Sequence, residues 1–371
     1  MVFEILIYLL MVIPSLIFKL ILKLKGRKIW LIAESRYEAC DNGFYLYKHL
    51  RKHHKDIEAY YAIDPKSKYY NDVLKYGNVI KYGSLKHYLY YMVAINISNY
   101  ENSSPAPRLF NFLHIHLNMY NNRVFLQRGI TKDNIESLHY KNTKFKMFIC
   151  GALKEYEYVK ENYGYPSDAV KYLGFPRFDE WNRIDTVSKD ILIMPTYRNK
   201  VSNESKYFKK WNSLLNNDML IKYIEENNIN IYVYPHIKMH KYIDNFKTKS
   251  NNIIIVNDNI TDLLKRCSLL VTDYSSVYMD FAYMNKPVIY YQFDYNDYRK
   301  EMYPEGYYRY SKDAFGKIVI DEEDLVKKII AYINLDYRME KIYADRMNKF
   351  FAKKDTLNSE RVFMAIEEMG D

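Results

Sequence analysis

From residue 29 onward the chain alternates short apolar runs with longer amphipathic stretches. KIWLIAE reads as a strand, DNG as a turn and FYLYKHLRKHH as a helix. IEAYYAID, NVIKYG, VAINIS, RVFLQ and FKMFIC are further strands with helical patterns between them, followed by a helix over about 152–163 and by VKYLGFPRFD. A second series begins at DILIMPTYR. It continues through a helix near 208–226, NIYVYPH, NIIIVN, the helix ITDLLKRC, LLVTDYSS, the helix VYMDFAYMN and PVIYYQFD. Strand–helix alternation of this kind predicts parallel sheets covered by helices. Two such series predict two Rossmann-like α/β domains facing a cleft, over 29–185 and 186–371, with the break in RIDTVSKD at 183–190. Closing helices at about 321–333 and 336–352, and the tail from Ser359, are expected to pack back across the junction.

The first 28 residues follow a different pattern. The uncharged run from Ile5 to Phe18 falls short of the ~20 residues of a spanning helix, and Pro14 interrupts it. Lys19 and Lys23 lie one turn apart, and Lys25, Arg27 and Lys28 follow. The pattern predicts an amphipathic helix lying in a membrane interface, its cations over anionic headgroups on the cytoplasmic side. A span with a basic cytoplasmic flank is the alternative, as is a buried N-terminal helix. A cleaved signal peptide fits poorly, since Glu4 sits at the start and no small-x-small site follows.

Composition narrows the partners. The chain has 371 residues, 49% hydrophobic and 27% charged, enough for two globular cores. Its net charge of +10 favours a polyanionic partner, a phosphorylated substrate or an anionic lipid surface. Nucleic acid is not expected, because neither a basic block nor an RNP-like aromatic motif is present. Cys40, Cys150 and Cys267 are far apart and form no CxxC pair, which suits reduced thiols and argues against a zinc site.

Several polar motifs fall just past predicted strands, the edge where open α/β sheets bind ligands: QRG, GFPR, PTYR, PHIKMH and TDYSS. In LLVTDYSSVYMDF a buried strand ends at Val271 and a helix begins near Ser275. The first amides of that helix lack intrahelical partners and carry roughly half a positive charge. With the hydroxyls of Ser275 and Ser276 they suit a phosphate or diphosphate, and Asp280 lies one turn further on the same face. Asp273 or Ser275 acting simply as a helix cap is the plainer alternative. His236, at a strand end, suits donation to a phosphate oxygen or acid–base work. His236 and His240 have a two-ligand spacing but lack a third ligand, so no metal site is expected. Thr196 and Arg198 lie beside the expected cleft, where an arginine can contact phosphate through two nitrogens. Arg177 and Asp179 of GFPRFD are expected to pair structurally.

Taken in order, DNGFYLYKHL, GFPRFD, PTYR, YPHIKMH, VTDYSSVYMDFAYMNKPVIYYQFDYNDYR and NSERVFMAI resemble the CDP-glycerol glycerophosphotransferase family, which builds teichoic acids and related polyol-phosphate capsules. The resemblance runs over roughly residues 29–371 and implies a GT-B-type fold and a peripheral place on the cytoplasmic face of the membrane. It implies transfer of glycerol phosphate or ribitol phosphate from a CDP-polyol donor to a hydroxyl of a lipid-linked polymer acceptor, with release of CMP. Ser275 and Ser276 with the helix amides would hold the diphosphate, with Asp273 and Asp280 beside them. His236 would stabilise charge there, and Thr196 and Arg198 would line the nucleotide path. No cofactor is implied; Mg²⁺ is compatible with a diphosphate, but no acidic cluster demands it. A GT-B glycosyltransferase using a nucleotide sugar, or an inactive scaffold in polymer synthesis, are the alternatives.

One position departs from the family pattern. Arg128 of FLQRGITKD stands where the family carries a histidine, the usual candidate for general base. A guanidinium with a pKa above ~12 accepts no proton at neutral pH. Three readings follow. Arg128 binds the acceptor's terminal phosphate while His114, His116, His139 or Asp133 takes the proton; or the loose transition state needs little base help; or the chain is a weak or inactive relative.

Overall fold

The apolar runs become strands. The computed structural model of the chain describes residues 2–100, 105–117, 122–181, 188–199, 201–202, 205–257 and 260–369. It divides into two compact units, the first comprising 1–130, 135–180 and 355–371, the second 131–134 and 181–354.

The first unit is built on a parallel sheet of seven strands: β1 (Ile29–Ala33), β2 (Glu58–Ile63), β3 (Val79–Lys81), β4 (Ile95–Ser98), β5 (Arg123–Phe125), β6 (Met147–Cys150) and β7 (Val170–Tyr172). Their spatial order is β3-β2-β1-β4-β5-β6-β7, so the chain reverses direction across the sheet between β1 and β4. β1 is buried on both faces, as its unbroken IWLIA requires of a central parallel strand. The second unit repeats the plan with six strands: β8 (Ile191–Met194), β9 (Ile231–Val233), β10 (Ile253–Ile255), β11 (Leu269–Thr272), β12 (Val288–Tyr291) and β13 (Gly316–Val319). Their order, β10-β9-β8-β11-β12-β13, puts the reversal between β8 and β11. Both sheets are of the expected doubly wound kind.

Three details differ from the sequence reading. The helix expected over 208–226 is two, Lys206–Leu215 and Asp218–Glu226, because Asn216 ends the first and Asn217 caps the second by accepting from the Leu220 amide at 3.1 Å. β13 is an edge strand whose GKIV carries too little apolar signal to stand out. The N-terminal helix runs unbroken from Val2 to Leu24 through Pro14. One side of it packs: Tyr8 meets Phe110 at 5.0 Å, and Ile7, Ser15 and Leu22 are buried. Of the break expected at 183–190, residues 183–187 lie outside the described residues; the units divide between Glu180 and Trp181.

The end of the chain corrects the domain assignment. Residues 355–371 belong to the first unit, not to the second. Val362 and Ile366 of the helix Asn358–Glu367 join a core with Trp30, Leu46 and Leu50, burying an apolar face against the helix Asn42–His53. Asp179 fixes the start of this helix. It accepts from the Asn358 amide at 2.7 Å, the Asn358 side chain at 2.8 Å and the Ser359 amide at 2.8 Å. Gly174, at φ +83°, lies so close to Asn358 that a Cβ there would sit 1.8 Å from its Oδ1. Arg177 therefore does not take Asp179 as partner; it pairs with Asp41 at 2.7 Å.

The three thiols stay unpaired with one another. Burial pushes Cys267 up to about 12 and raises Cys40 and Cys150 as well, so all three are held as poor nucleophiles.

Asp179→Ala is expected to cost about 1–3 kcal/mol, since it removes a cap and strands buried amides. Urea unfolding gives the loss, and hydrogen exchange of residues 358–367 should show that helix opening ahead of the sheet.

Candidate active site

In the second unit, the turns that follow β8 and β11 flank the point where strand order reverses, and they are tied together there. Asp273, fully buried, accepts from the Thr196 amide at 2.9 Å, from the Thr196 hydroxyl and from the Tyr274 amide at 2.8 Å. Arg198 donates to Asp273 from Nη2 at 2.8 Å and to Asp294 from Nε at 3.0 Å, and its Nη1 reaches the Thr196 carbonyl at 3.1 Å. The guanidinium also lies among the rings of Tyr207, Tyr274 and Tyr298, 4.8–5.1 Å from their centroids. Tyr274 stacks on Tyr298 at 3.8 Å and donates to Asp294 at 3.0 Å. Burial alone would lower the Arg198 pKa; the carboxylates of Asp273 and Asp294 outweigh it and leave it raised.

These contacts correct the direct role expected of three residues. Thr196, Arg198 and Asp273 do come together, but each nitrogen of Arg198 donates to protein oxygen, and Asp273 is closed to solvent. A guanidinium so engaged cannot also fork a phosphate. The trio instead locks the PTYR and TDYSS turns into one rigid edge. Beside Arg198 lies a cavity of about 140 Å³ lined by Lys206, Tyr207, Asp294 and Tyr298, below the ~300 Å³ at which ligand pockets usually begin.

The more open groups lie around this network. Ser276 is exposed at the cap position of the helix Val277–Tyr283, and its side chain makes no capping bond. Ser275 is half-buried, with only a long 3.5 Å bond from the Val277 amide. Asp280 is buried in the helix, 8% exposed, and does not form part of that surface. The amide of His236 donates to the Pro195 carbonyl at 3.1 Å, which fixes the residue beside Thr196. Its ring Nδ1 accepts from the Lys238 amide at 3.2 Å, so the neutral ring carries its proton on Nε2. His240 turns back to the Pro235 carbonyl at 3.0 Å.

In the first unit, the corresponding edge holds Arg128. Gln127, at φ +60°, makes the turn out of β5 in the left-handed region that a side chain disfavours. It is held there by Asn42, which donates to its carbonyl at 2.9 Å, and by its own amide donating to the Ile149 carbonyl at 2.7 Å. Arg128 is thereby thrown outward, its side chain 54% exposed. Its guanidinium lies over the Tyr100 ring at 4.7 Å, with Nε 3.8 Å from Asp41. Asp41 also takes Arg177, and Tyr100 donates to Glu38 at 2.8 Å. Beneath them Glu34, 1% exposed, accepts from the amides of Cys40, Asp41 and Phe44 at 2.7–2.8 Å. Burial and the Asp41 charge push the Glu34 carboxyl up to about 8, against the pull of those three amides.

Among the expected proton acceptors, Asp133 is buried against Lys132 and Arg299, the latter at 2.7 Å. His139 stacks on Tyr163 at 4.6 Å, and the His116 ring lies tilted 4.0 Å from that of Phe112. The side chain of His114 lies outside the described residues. Sequence reasoning missed Asp41, Glu34 and Asp294. Asp41 sits in DNG, which the pattern marks only as a turn, and Asp294 opens FDYNDYR just past β12.

The sequence model of the family described as CDP-Glycerol:Poly(glycerophosphate) glycerophosphotransferase matches residues 15–368. The chain is 32% identical over 364 residues to the minor teichoic acid biosynthesis protein GgaB of Bacillus subtilis (strain 168), covering 92% of this chain and 40% of that one. It is 26% identical over 252 residues to the teichoic acid glycerol-phosphate primase of the same organism, covering 64% and 62%. The chain thus spans less than two thirds of either relative. Among solved structures, the wall teichoic acid polymerase TagF is similar with a TM-score of 0.66 at 18% identity, covering 92% of this chain and 89% of that one. UDP-GlcNAc 2-epimerase from Neisseria meningitidis bound to UDP-GlcNAc gives 0.54 at 12% identity, covering 92% and 100%. Such identities speak for a shared GT-B-type fold, and a fold common to an epimerase does not name a reaction. The sequence match, running over nearly the whole chain, does decide the family: the protein belongs to the CDP-glycerol:poly(glycerophosphate) glycerophosphotransferases.

Proposed function

We propose that the protein transfers a polyol phosphate, glycerol or ribitol phosphate, from a CDP-polyol to a hydroxyl of a lipid-linked teichoic acid or capsule polymer. The hydroxyl oxygen bonds to the β-phosphorus, the bond from that phosphorus to the bridging oxygen breaks, and CMP leaves. The observation that carries this reading is the rigid edge of the second sheet. The Asp273–Arg198–Asp294 network holds two turns in place, with His236 fixed beside Thr196 and the exposed Ser276 next to it. Phosphoryl transfer needs mainly fixed donors and charge neutralisation, and a preorganised edge supplies them without rearrangement.

For the acceptor side, Arg128 suits a phosphate at the end of the growing polymer, since its guanidinium is half-exposed. Asp41, a carboxylate 3.8 Å from it, is the group we assign as proton acceptor. A loose transition state asks little of a base, so a carboxylate in that place suffices.

The N-terminal helix supports a place at the membrane. From Glu4 to Leu24 it has a mean hydropathy of 2.6 and is long and apolar enough to cross a bilayer by length and composition. Both of its ends pack on the first unit, through Ile7 and Tyr8 and through Leu22, which favours lying along the surface over spanning. Leu9, Ile13, Leu16 and Leu20, spaced at helical intervals, are 46–68% exposed. At its foot, along the amino-terminal edge of the sheet, a cavity of about 680 Å³ is lined by Lys19, Lys23, Arg27, Lys28 and Lys146. An apolar stripe with a basic foot fits an anionic lipid surface on the cytoplasmic face.

Purified protein, given a lipid-linked acceptor, should release CMP from CDP-glycerol or CDP-ribitol and leave nucleotide sugars intact. Turnover of a nucleotide sugar instead would sink the reading, and release only after Arg128→His would identify an inactive relative. His236→Ala should lower kcat by about 10²–10³-fold, as for loss of one transition-state donor. Asp41→Asn should lower it by about 10²-fold or more, with melting temperature reported alongside because Asp41 also caps a helix. Leu9→Gln, Ile13→Gln and Leu20→Gln together should reduce co-flotation with phosphatidylglycerol vesicles by about tenfold or more while CMP release from a water-soluble acceptor persists.

A further inference from the structure

The helix Asn42–His53 ends in HLRKHH, and two of these histidines meet a carboxylate from the far end of the chain. Nε2 of His49 and Nε2 of His54 each lie 2.8 Å from the same oxygen, Oε2 of Glu360. The three ligand atoms fall within 4.8 Å of one another. The side chains are 22%, 20% and 35% exposed, so the cluster is ordered by packing yet open to solvent. His54 is held by stacking on Phe363 at 3.7 Å, and the ring of His53 lies 4.9 Å from that of His49. All of these residues belong to the first unit.

From this geometry we propose that His49, His54 and Glu360 form a binding site for a divalent transition-metal ion, with Zn²⁺ the best fit. Two imidazoles and one carboxylate, with a position open to water, are a donor set that borderline first-row ions take. Ligand bonds of ~2.0–2.1 Å in tetrahedral geometry put neighbouring donor atoms about 3.3 Å apart. The present 2.8 Å contacts therefore need to open by only a few tenths of an ångström. The side chains are exposed enough to rotate by that amount. At present each Nε2 carries a proton that it donates to the carboxylate; on binding, the metal takes that position, the Nε2 proton passes to water, and the neutral ring keeps or regains a proton on Nδ1. The site would clasp the helix Asn358–Glu367 to the helix Asn42–His53, joining segments more than 300 residues apart in sequence. It lies apart from the edge that holds Arg128 and requires nothing of the transferase reading.

The test uses the full chain without a histidine tag, stripped with EDTA and titrated with Zn²⁺ by calorimetry, with bound metal counted by mass spectrometry. The expected result is one strongly bound ion per chain and a rise in melting temperature. Affinity should fall at least about tenfold in Glu360→Gln and in His54→Gln, since even outer partners of metal ligands are worth that much. His49→Gln, which leaves the His54–Phe363 stack in place, stands in should either variant unfold the closing helix. Co²⁺ in place of zinc should give the visible absorption of a four-coordinate site in the wild type alone. Absence of binding, or Zn²⁺ affinity unchanged in these variants, overturns the proposal and leaves a histidine–carboxylate bridge with no metal role.

Discussion

A guanidinium closed off from water, set between two carboxylates, is the interaction on which the second unit depends. Arg198 is 5% exposed and joins Asp273, at the end of β11, to Asp294, beyond β12. Desolvating three charges is costly unless each is met by geometry as close as this, and any one of them alone would be untenable there. The three phenol rings around the guanidinium exclude water, which strengthens each pair as it isolates it. Because Asp273 also holds the Thr196 amide, the turn after β8 cannot move independently of the turn after β11. A sheet reversal is a natural gap between turns, and here that gap is bridged from beneath. The surface above it is therefore fixed before any substrate arrives.

This arrangement shows why some of the site could be read from sequence and some could not. The strands were legible because central parallel strands are apolar on both faces, and IWLIA, ILIM, LLVT and VIYY carry that signal without interruption. The motifs past their carboxyl ends were legible for the same reason, since the strand fixes where its turn must lie. Which residue in a motif meets ligand and which meets its neighbour is set by contacts across tens of residues, and a linear pattern carries no trace of them. Arg198 looks identical in sequence whether it holds a phosphate or Asp273, 75 positions away. The closing helix is a similar case. NSERVFMAI reads as an amphipathic helix expected to pack back across the junction, but nothing in it says that its apolar face meets Trp30 and Leu46. His49 and Glu360 could not be paired in advance at all.

The same argument bears on the arginine at the start of the first edge. The turn at Gln127 adopts a disfavoured backbone conformation and is held there from several sides, by Asn42 and by its own side chain, whose amide also reaches Glu155 at 3.0 Å. Such strain persists only where the surroundings impose it. A position that had merely lost its catalytic residue would place no demand on this support. Here the support remains, and it delivers the Arg128 guanidinium, outward-facing, onto Tyr100 and beside Asp41. A guanidinium at such a point is a permanent cation, able to bind an anion and unable to accept a proton. Asp41, 3.8 Å from it, is the carboxylate to which our proposal gives the proton. In that proposal, anion binding and proton transfer, which one histidine could combine, fall to two side chains less than 4 Å apart.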